Sequence, residues 1–160
     1  MSSEEATLYF AYGSNLWLDQ MARRCPGNTF IGIGVLRDWK WMINTRGVAN
    51  VLRSPGDFVY GFVYSLTPED EEKLDGFESA GKNYFKQIHH VERQDDCGSE
   101  CLIYVDLKSV EPGAPRLEYI DRMNFAIRDS EQMGIPEHYI QHYLRPFIPS
   151  ASVVDIKALY

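Results

Sequence analysis

The sequence predicts an α+β fold in which a small mixed β-barrel is flanked by helices. Several short β-favouring segments follow one another in the middle of the chain, and helical patterns occur early, midway and late without a regular βαβ alternation. The length of 160 residues suits one domain. We therefore expect a single domain over residues 1–160, with its core at about residues 8–144 and the tail, residues 145–160, packed on it.

The composition argues against several classes of protein. With 44% apolar and 13% aromatic residues, the chain has enough apolar side chains for a core, which excludes wholesale disorder. A net charge of −7 and scattered arginines argue against a nucleic-acid partner. No apolar run approaches the roughly 18 residues of a bilayer-spanning helix, and the acidic, polar amino terminus is unlike a secretory signal. We expect a cytoplasmic protein without a membrane partner.

The first half of the chain is predicted to be mainly β-structure. A strand at residues 7–12 ends at a Gly-Ser-Asn turn, and a helix follows over residues 16–24. Further strands are expected at residues 29–36, 39–44, 49–52 and 58–66. The Ser-Pro-Gly-Asp sequence at residues 54–57 predicts a reverse turn between the last two of these strands.

Helices alternate with one hairpin in the second half. Thr67 as N-cap and Pro68 at the first helical position predict a helix that runs to about Phe77. Residues 84–92 and 101–106 are expected to form a β-hairpin. An apolar stripe predicts a helix over residues 117–133 that ends at a glycine, and a short helix is expected over residues 137–144.

The turn after the first strand is a candidate anion-binding site. A strand that turns through Gly13, Ser14 and Asn15 into a helix directs free backbone N–H groups at one point, and the helix dipole adds positive potential there. Gly13 permits close approach of a ligand to the backbone. An ordinary capped helix is the alternative interpretation. Ser14 lacks the G-x-S-x-G frame of a nucleophile elbow.

Glu78 is the candidate acid/base. It lies just past a predicted helix, beside glycine and aromatic residues, and just before an aromatic-rich strand. In a mostly apolar cleft, desolvation would raise the pKa of its carboxyl group, which suits a general acid/base near neutral pH. A solvated acid at the end of a helix is the alternative.

Metal ligands are not indicated by the residue spacing. His138 and His142 share one helix face at i and i+4, but no third ligand accompanies them and the His-Glu-x-x-His arrangement is absent. The three cysteines are an odd number without CxxC spacing. We expect no bound metal and no disulfide framework.

Taken together and in this order, these segments resemble the γ-glutamylcyclotransferase family. The resemblance runs from about residue 8 to residue 144. It rests on residues 9–16, on residues 54–57 with the strand up to residue 64, on residues 74–78 with Tyr84, and on residues 115–119 leading to the Gly-Ile-Pro-Glu-His-Tyr run at 134–139. The resemblance implies a γ-glutamylcyclotransferase-like β-barrel with a cavity at one end.

The resemblance also implies a reaction. Family members convert a γ-glutamyl amino acid into 5-oxoproline and the free amino acid. Because the α-amine of the substrate attacks its own γ-carbonyl group, neither an enzyme nucleophile nor a cofactor is needed. By similarity, Glu78 is the general acid/base and Tyr119 contacts the substrate, while Tyr84 and Tyr104 are weaker candidates for lining the cavity.

The expected partner is a small γ-glutamyl substrate, and the resemblance is compatible with a homodimer. The substrate-binding residues that it assigns are Tyr9, Phe10, Ala11, Tyr12, Gly13, Ser14, Asn15, Tyr84 and Tyr119. Two alternatives stay open. One is a cyclotransferase for a γ-glutamylamine, an isopeptide or a pathway-specific γ-glutamyl compound. The other is a non-catalytic homologue that binds γ-glutamyl compounds.

Overall fold

The computed structural model describes residues 6–78, 80–94 and 98–150. The strands are β1 (Thr7–Ala11), β2 (Thr29–Ile43), β3 (Ala49–Leu66), β4 (Phe85–Arg93) and β5 (Ser99–Val105). The helices are α1 (Leu18–Arg24), α2 (Pro68–Phe77), α3 (Leu117–Met133) and α4 (Glu137–Tyr139). A 3₁₀ turn at Ser14–Leu16 precedes α1, and a π-helical turn at Ile140–Leu144 continues α4. Within these described ranges, no helix has the length and apolar character needed to cross a membrane.

The strands close into a mixed barrel in the order β1-β3-β2-β4-β5. β1 pairs antiparallel with β3 and parallel with β5, where Tyr9 lies opposite Leu102. β4 and β5 form the expected antiparallel hairpin. The predicted α+β class and the predicted barrel are therefore confirmed. Closure matters for the site because it brings the end of β1 close to segments that are far apart in the sequence.

The four strands predicted between residues 29 and 66 are in fact two long strands. Arg37 pairs with Phe58 and Trp39 pairs with Arg53, so only Asp38 lies opposite residues 54–57. The prediction of a reverse turn at residues 54–57 was therefore wrong. Since β2 and β3 pair on both sides of it, the turn-forming residues are accommodated as a bulge within β3, where Gly56 takes a φ of 89°.

The helix predicted over residues 16–24 is also interrupted. Trp17 is extended, with a ψ of 106°, and separates the 3₁₀ turn from α1. The backbone N–H of Leu18 donates to Asp129 of α3 over 2.9 Å. The first turn of α1 is therefore capped by a residue from a distant helix, which local sequence signals do not reveal.

Helices α2 and α3 follow their predictions closely. Thr67 caps α2, with its hydroxyl oxygen accepting from the backbone N–H of Asp70 over 3.1 Å. α3 ends at Gly134, which takes a φ of 108°. The apolar stripe of α3 is buried at Ile120, Met123, Ala126 and Ile127.

The beginning of the predicted tail lies on the body of the protein. Ile148 is fully buried, and Phe147 packs against the core. The backbone carbonyl of Pro149 accepts a hydrogen bond from Asn124 of α3 over 2.9 Å. The apolar residues of the tail beyond position 150 lie outside the described residues.

Candidate active site

The predicted site residues converge on a cavity of about 200 Å³. Glu78 and seven of the nine predicted binding residues border it, and so does Tyr104. The seven are Tyr9, Tyr12, Gly13, Ser14, Asn15, Tyr84 and Tyr119. They come from β1 and the turn after it, from the segment between α2 and β4, and from α3.

Two of the predicted binding residues, Phe10 and Ala11, do not line the cavity, so that part of the prediction is corrected. Side chains alternate along a strand, so Phe10 lies on the side of β1 opposite to Tyr9. Its ring packs against Gly61 of β3, where an added Cβ would come within 2.7 Å of the Phe10 Cζ atom. Ala11 is fully buried in the sheet, opposite Phe62.

Glu78 is positioned by the carboxyl end of α2. Its backbone N–H donates to the carbonyl of Leu74 over 2.9 Å, which makes it the C-cap residue of the helix. The same end of α2 is attached to the barrel through Asp75, which accepts from the hydroxyl of Tyr104 over 2.5 Å and pairs with Lys86 over 3.1 Å. The helix therefore places Glu78 at the cavity through contacts with β4 and β5.

Asn15 links Glu78 to the first strand. Its Nδ2 atom donates to the hydroxyl oxygen of Tyr9 over 3.0 Å and to Oε1 of Glu78 over 3.5 Å. Its backbone carbonyl accepts from the hydroxyl of Tyr64 over 2.8 Å. Asn15 is almost completely buried, so this network holds both the turn and the carboxylate in place.

Gln20 was missed by the sequence analysis, although it fixes the orientation of the turn. Its Nε2 atom donates to Ser14 Oγ and to Asn15 Oδ1, both over 2.9 Å. The Asn15 Oδ1 atom also accepts from Arg24 over 3.4 Å. With its oxygen held by these donors, the amide of Asn15 presents its nitrogen to Tyr9 and Glu78. The sequence feature that could have revealed Gln20 is a polar residue on the inner face of α1.

Gly13 and Tyr119 are in close contact. A Cβ atom at Gly13 would lie 2.9 Å from the hydroxyl oxygen of Tyr119 and 3.2 Å from Cβ of Ala49. The backbone amides of Ala49 and Ser14 also interact with this hydroxyl and lower the pKa of Tyr119, although burial has the larger effect and raises it. Only glycine at position 13 leaves room for this contact.

The other tyrosines form neutral walls of the cavity. The hydroxyl of Tyr12 donates to the carbonyl of Tyr104 over 2.6 Å, and the hydroxyl of Tyr84 donates to the carbonyl of Ala49 over 2.8 Å. Burial raises the pKa of Tyr9, Tyr12 and Tyr84 well above the usual value. These phenols therefore remain protonated near neutral pH and cannot serve as bases there.

Four arginines border the cavity, which no spacing in the sequence indicated: Arg24, Arg46, Arg116 and Arg122. The guanidinium of Arg24 lies over the ring of Phe77, at 4.7 Å from its centroid. Arg122 lies over Tyr119 at 5.4 Å. The expected helix dipole is not the source of positive potential at this turn, because the Ser14–Leu16 helix is too short to have one. The arginines supply that potential instead.

The environment of Glu78 is aromatic and cationic rather than mostly apolar, which corrects the expected cleft. Burial raises the pKa of the Glu78 carboxyl group to about 6, and Arg24, Arg46 and Arg122 act in the opposite direction. The shift has the sign that the sequence analysis predicted. The side chain is only half-buried by surface accessibility because the cavity opens to solvent. Glu78 can therefore exchange protons near neutral pH.

In the parts of the chain that the structure describes, no group of three or more His, Cys, Asp or Glu side chains is arranged to hold a metal ion. Among the described residues, the titratable groups of the cavity are Glu78, the tyrosines and the arginines. The arrangement therefore offers one proton acceptor, several hydrogen-bond donors and a positive potential.

The chain is similar in sequence to one family of known proteins. The family model described as "Gamma-glutamyl cyclotransferase, AIG2-like" matches residues 9–122. A human protein named gamma-glutamylcyclotransferase is 27% identical over 158 residues, which cover 92% of this chain and 81% of the relative. A bovine protein of the same name is 28% identical over 148 residues, with coverages of 84% and 76%.

The fold is similar to that of solved structures. A structure named "Gamma-glutamyl cyclotransferase" superposes with a TM-score of 0.78 at 24% identity, covering 98% of this chain and 100% of its own. At this identity the likeness concerns the fold, whereas the match over residues 9–122 concerns the family and includes both Glu78 and the Gly-Ser-Asn turn. The chain belongs to the AIG2-like gamma-glutamyl cyclotransferase family.

Proposed function

We propose that this protein is a γ-glutamylcyclotransferase that cyclises γ-glutamyl amino acids to 5-oxoproline and releases the free amino acid. The observation that carries this proposal is the position of Glu78. Its carboxylate, with a pKa raised to about 6, borders the same cavity as the Gly13-Ser14-Asn15 turn. Membership of the family supports the same reaction.

In the first step, Glu78 accepts a proton from the α-ammonium group of the substrate. The freed amine attacks the γ-carbonyl carbon of the same molecule, so a C–N bond forms and the carbonyl oxygen becomes an oxyanion. Because both reacting groups belong to one glutamyl unit, the protein has only to hold that unit folded.

The backbone around Tyr12, Gly13 and Ser14 holds the glutamyl unit. Gly13 leaves the main chain open to close approach, and the hydroxyl of Tyr119 lies directly against it. N–H donors of this turn, together with Arg24, which interacts with Asn15, stabilise negative charge on the α-carboxylate and on the oxyanion. This preorganisation is the protein's main contribution to the rate.

In the second step, the tetrahedral intermediate collapses. Protonated Glu78 gives its proton to the departing nitrogen, and the bond from that nitrogen to the former carbonyl carbon breaks. The ring nitrogen loses its second proton to Glu78, which passes it to the departing amine, so that the amino acid leaves with an ammonium group. The products are 5-oxoproline and the free amino acid. No water is consumed, no group is oxidised or reduced, and Glu78 ends in its initial protonation state.

The assay that tests the proposal is 5-oxoproline formation from γ-Glu-Ala, γ-Glu-ε-Lys and glutathione. Glu78→Gln is expected to lower turnover at least ~100-fold, since it removes the general acid/base. Glu72→Gln, which neutralises an exposed carboxylate on the same helix, is the matched control and should turn over like the unmodified protein.

Three outcomes of this assay separate the candidate functions. Turnover restricted to γ-Glu-ε-Lys would favour the isopeptide alternative. Absence of turnover on every substrate would favour a non-catalytic γ-glutamyl-binding homologue. Unchanged turnover in Glu78→Gln would remove Glu78 from its role.

The cytoplasmic location, the absence of a nucleic-acid partner and the homodimer remain part of the proposal. Sedimentation equilibrium tests whether the protein is a homodimer.

A further inference from the structure

Arg46 differs from the other arginines of the cavity. It follows the end of β2, and its Nε atom donates to Oδ2 of Asp106 over 2.9 Å. Asp106 is almost completely buried, whereas the Arg46 side chain retains 24% of its exposure. One terminal nitrogen of Arg46, Nη2, is buried and has no hydrogen-bond partner among the described residues. An unpaired buried N–H group is costly unless a ligand supplies an acceptor.

The guanidinium of Arg46 is held in a fixed orientation. Asp106 accepts from Asn44 Nδ2 over 3.1 Å and from the backbone N–H groups of Lys108 and Ser109 over 2.9 and 2.8 Å. The Cζ atom of the guanidinium lies over the ring of Tyr84, at 5.0 Å from its centroid. Arg46 is therefore a preorganised cation at the cavity and not a freely moving surface side chain.

The remaining arginines are engaged differently. Nη2 of Arg122 donates to both carboxylate oxygens of Glu118, over 2.8 and 2.9 Å. Nε of Arg116 donates to the backbone carbonyl of Arg46 over 2.8 Å. Among the described residues, Glu78 is the only acid that borders the cavity, against four arginines. Arg24 interacts with Asn15 of the turn. In the part of the chain that the structure describes, Nη2 of Arg46 is the only buried arginine nitrogen without a hydrogen-bond partner.

We propose that Arg46 determines specificity by binding the carboxylate of the departing amino acid. This proposal rests on the proposed function, and it specifies the substrate class of the same site. The glutamyl carboxylate is held at the Gly-Ser-Asn turn, so Arg46 remains for the second carboxylate of a γ-glutamyl amino acid. A γ-glutamylamine or an amide of the amino acid has no such group and leaves Nη2 unpaired. Sites built around a polar contact reject analogues that lack it.

The test compares γ-Glu-Ala with γ-Glu-alaninamide, which differ only in that carboxylate. The unmodified protein is expected to favour γ-Glu-Ala by about 100-fold in kcat/KM. Arg46→Gln should reduce this preference to less than about 10-fold by lowering kcat/KM for the acid, while kcat/KM for the amide changes only a few-fold. An equal fall for both substrates, or an unchanged preference, would overturn the proposal.

Two variants control for charge and folding. Arg122→Gln removes a cation from the same cavity, but one that has no unpaired buried nitrogen, so the preference should stay near its original value. Arg46→Lys can keep the ion pair with Asp106 but lacks the forked guanidinium. Thermal unfolding shows whether each variant is folded. If Arg46→Gln does not fold, Arg46→Lys takes its place and should also lose the preference for γ-Glu-Ala. Retention of the preference in Arg46→Lys would contradict the proposed role of the guanidinium group.

A binding measurement separates failure of this proposal from failure of the proposed function. If the unmodified protein forms no 5-oxoproline from either compound, the proposed reaction is wrong. Calorimetric titration with γ-Glu-Ala and γ-Glu-alaninamide still tests Arg46 in that case. Tighter binding of the acid that disappears in Arg46→Gln supports the carboxylate contact, and equal affinities of the unmodified protein for the two compounds exclude it.

Discussion

The raised pKa that suits Glu78 to act as an acid/base also lowers the stability of the fold at neutral pH. Burial raises the pKa of its carboxyl group from 4.5 to about 6, so ionisation is less favourable in the folded protein than in the unfolded chain. The folded state therefore binds this proton more tightly. Stability attributable to Glu78 is full below pH 4.5 and is lost as the pH rises to about 6, which is the opposite of a salt-bridged carboxylate.

Replacing Glu78 should therefore stabilise the fold at neutral pH. The difference between a pKa of 4.5 and one of about 6 corresponds to about 2 kcal/mol, so Glu78→Gln should raise the free energy of unfolding at pH 7 by up to that amount. The gain should vanish at pH 4.5 and below, where the native glutamate is protonated. Urea unfolding of Glu78→Gln, Glu72→Gln and the unmodified protein at both pH values measures it. Equal free energies of unfolding at pH 7 would contradict the buried environment.

At the scale of elements, the site depends on contact between the turn after β1 and helix α3. The two meet where Gly13 faces the hydroxyl of Tyr119. Two sets of contacts hold the turn in place. One is the hydrogen-bond network of Asn15, and the other is the cap that Asp129 provides to α1. The position of the turn is therefore a property of packed elements and not of the turn sequence alone.

This contact predicts coupling between positions 13 and 119. Gly13→Ala places a Cβ 2.9 Å from the Tyr119 hydroxyl, and the resulting displacement should lower kcat/KM about 100-fold. Tyr119→Phe removes the hydroxyl and leaves room for the methyl group. The double variant should therefore be more active than the product of the two single effects predicts. Strictly multiplicative effects on 5-oxoproline formation would show that the two positions act independently.

The elements that sequence predicted well are those with local signals. α2 has a Thr cap and a Pro at its start, and α3 has a continuous apolar stripe and a terminal glycine. The bulge at residues 54–57 could not be predicted in this way, because turn-forming residues remain in a strand only when both flanks pair with β2. The break at Trp17 likewise accompanies the contact between Leu18 and Asp129, which are 111 positions apart.

At the scale of the whole molecule, barrel closure creates a cationic cavity in an acidic protein. The chain carries a net charge of −7, yet four arginines from three separate segments border the cavity together with Glu78. A local field of the opposite sign to the net charge suits an anionic substrate. The placement of Glu78 and of the Gly-Ser-Asn turn at one cavity could be predicted because each belongs to a recognisable segment. The arginines could not, since only the closed fold brings positions 24, 46, 116 and 122 together.

The pH dependence of kcat/KM for γ-Glu-Ala tests the central claim most directly. If Glu78 in the free protein must be ionised to accept the proton, kcat/KM should fall on acidification with a midpoint near the pKa of about 6. Glu72→Gln should keep this profile, and the residual activity of Glu78→Gln should lose the transition. A midpoint at 4.5 or below, or an unchanged transition in Glu78→Gln, would contradict the assignment of Glu78 as the acid/base with a raised pKa.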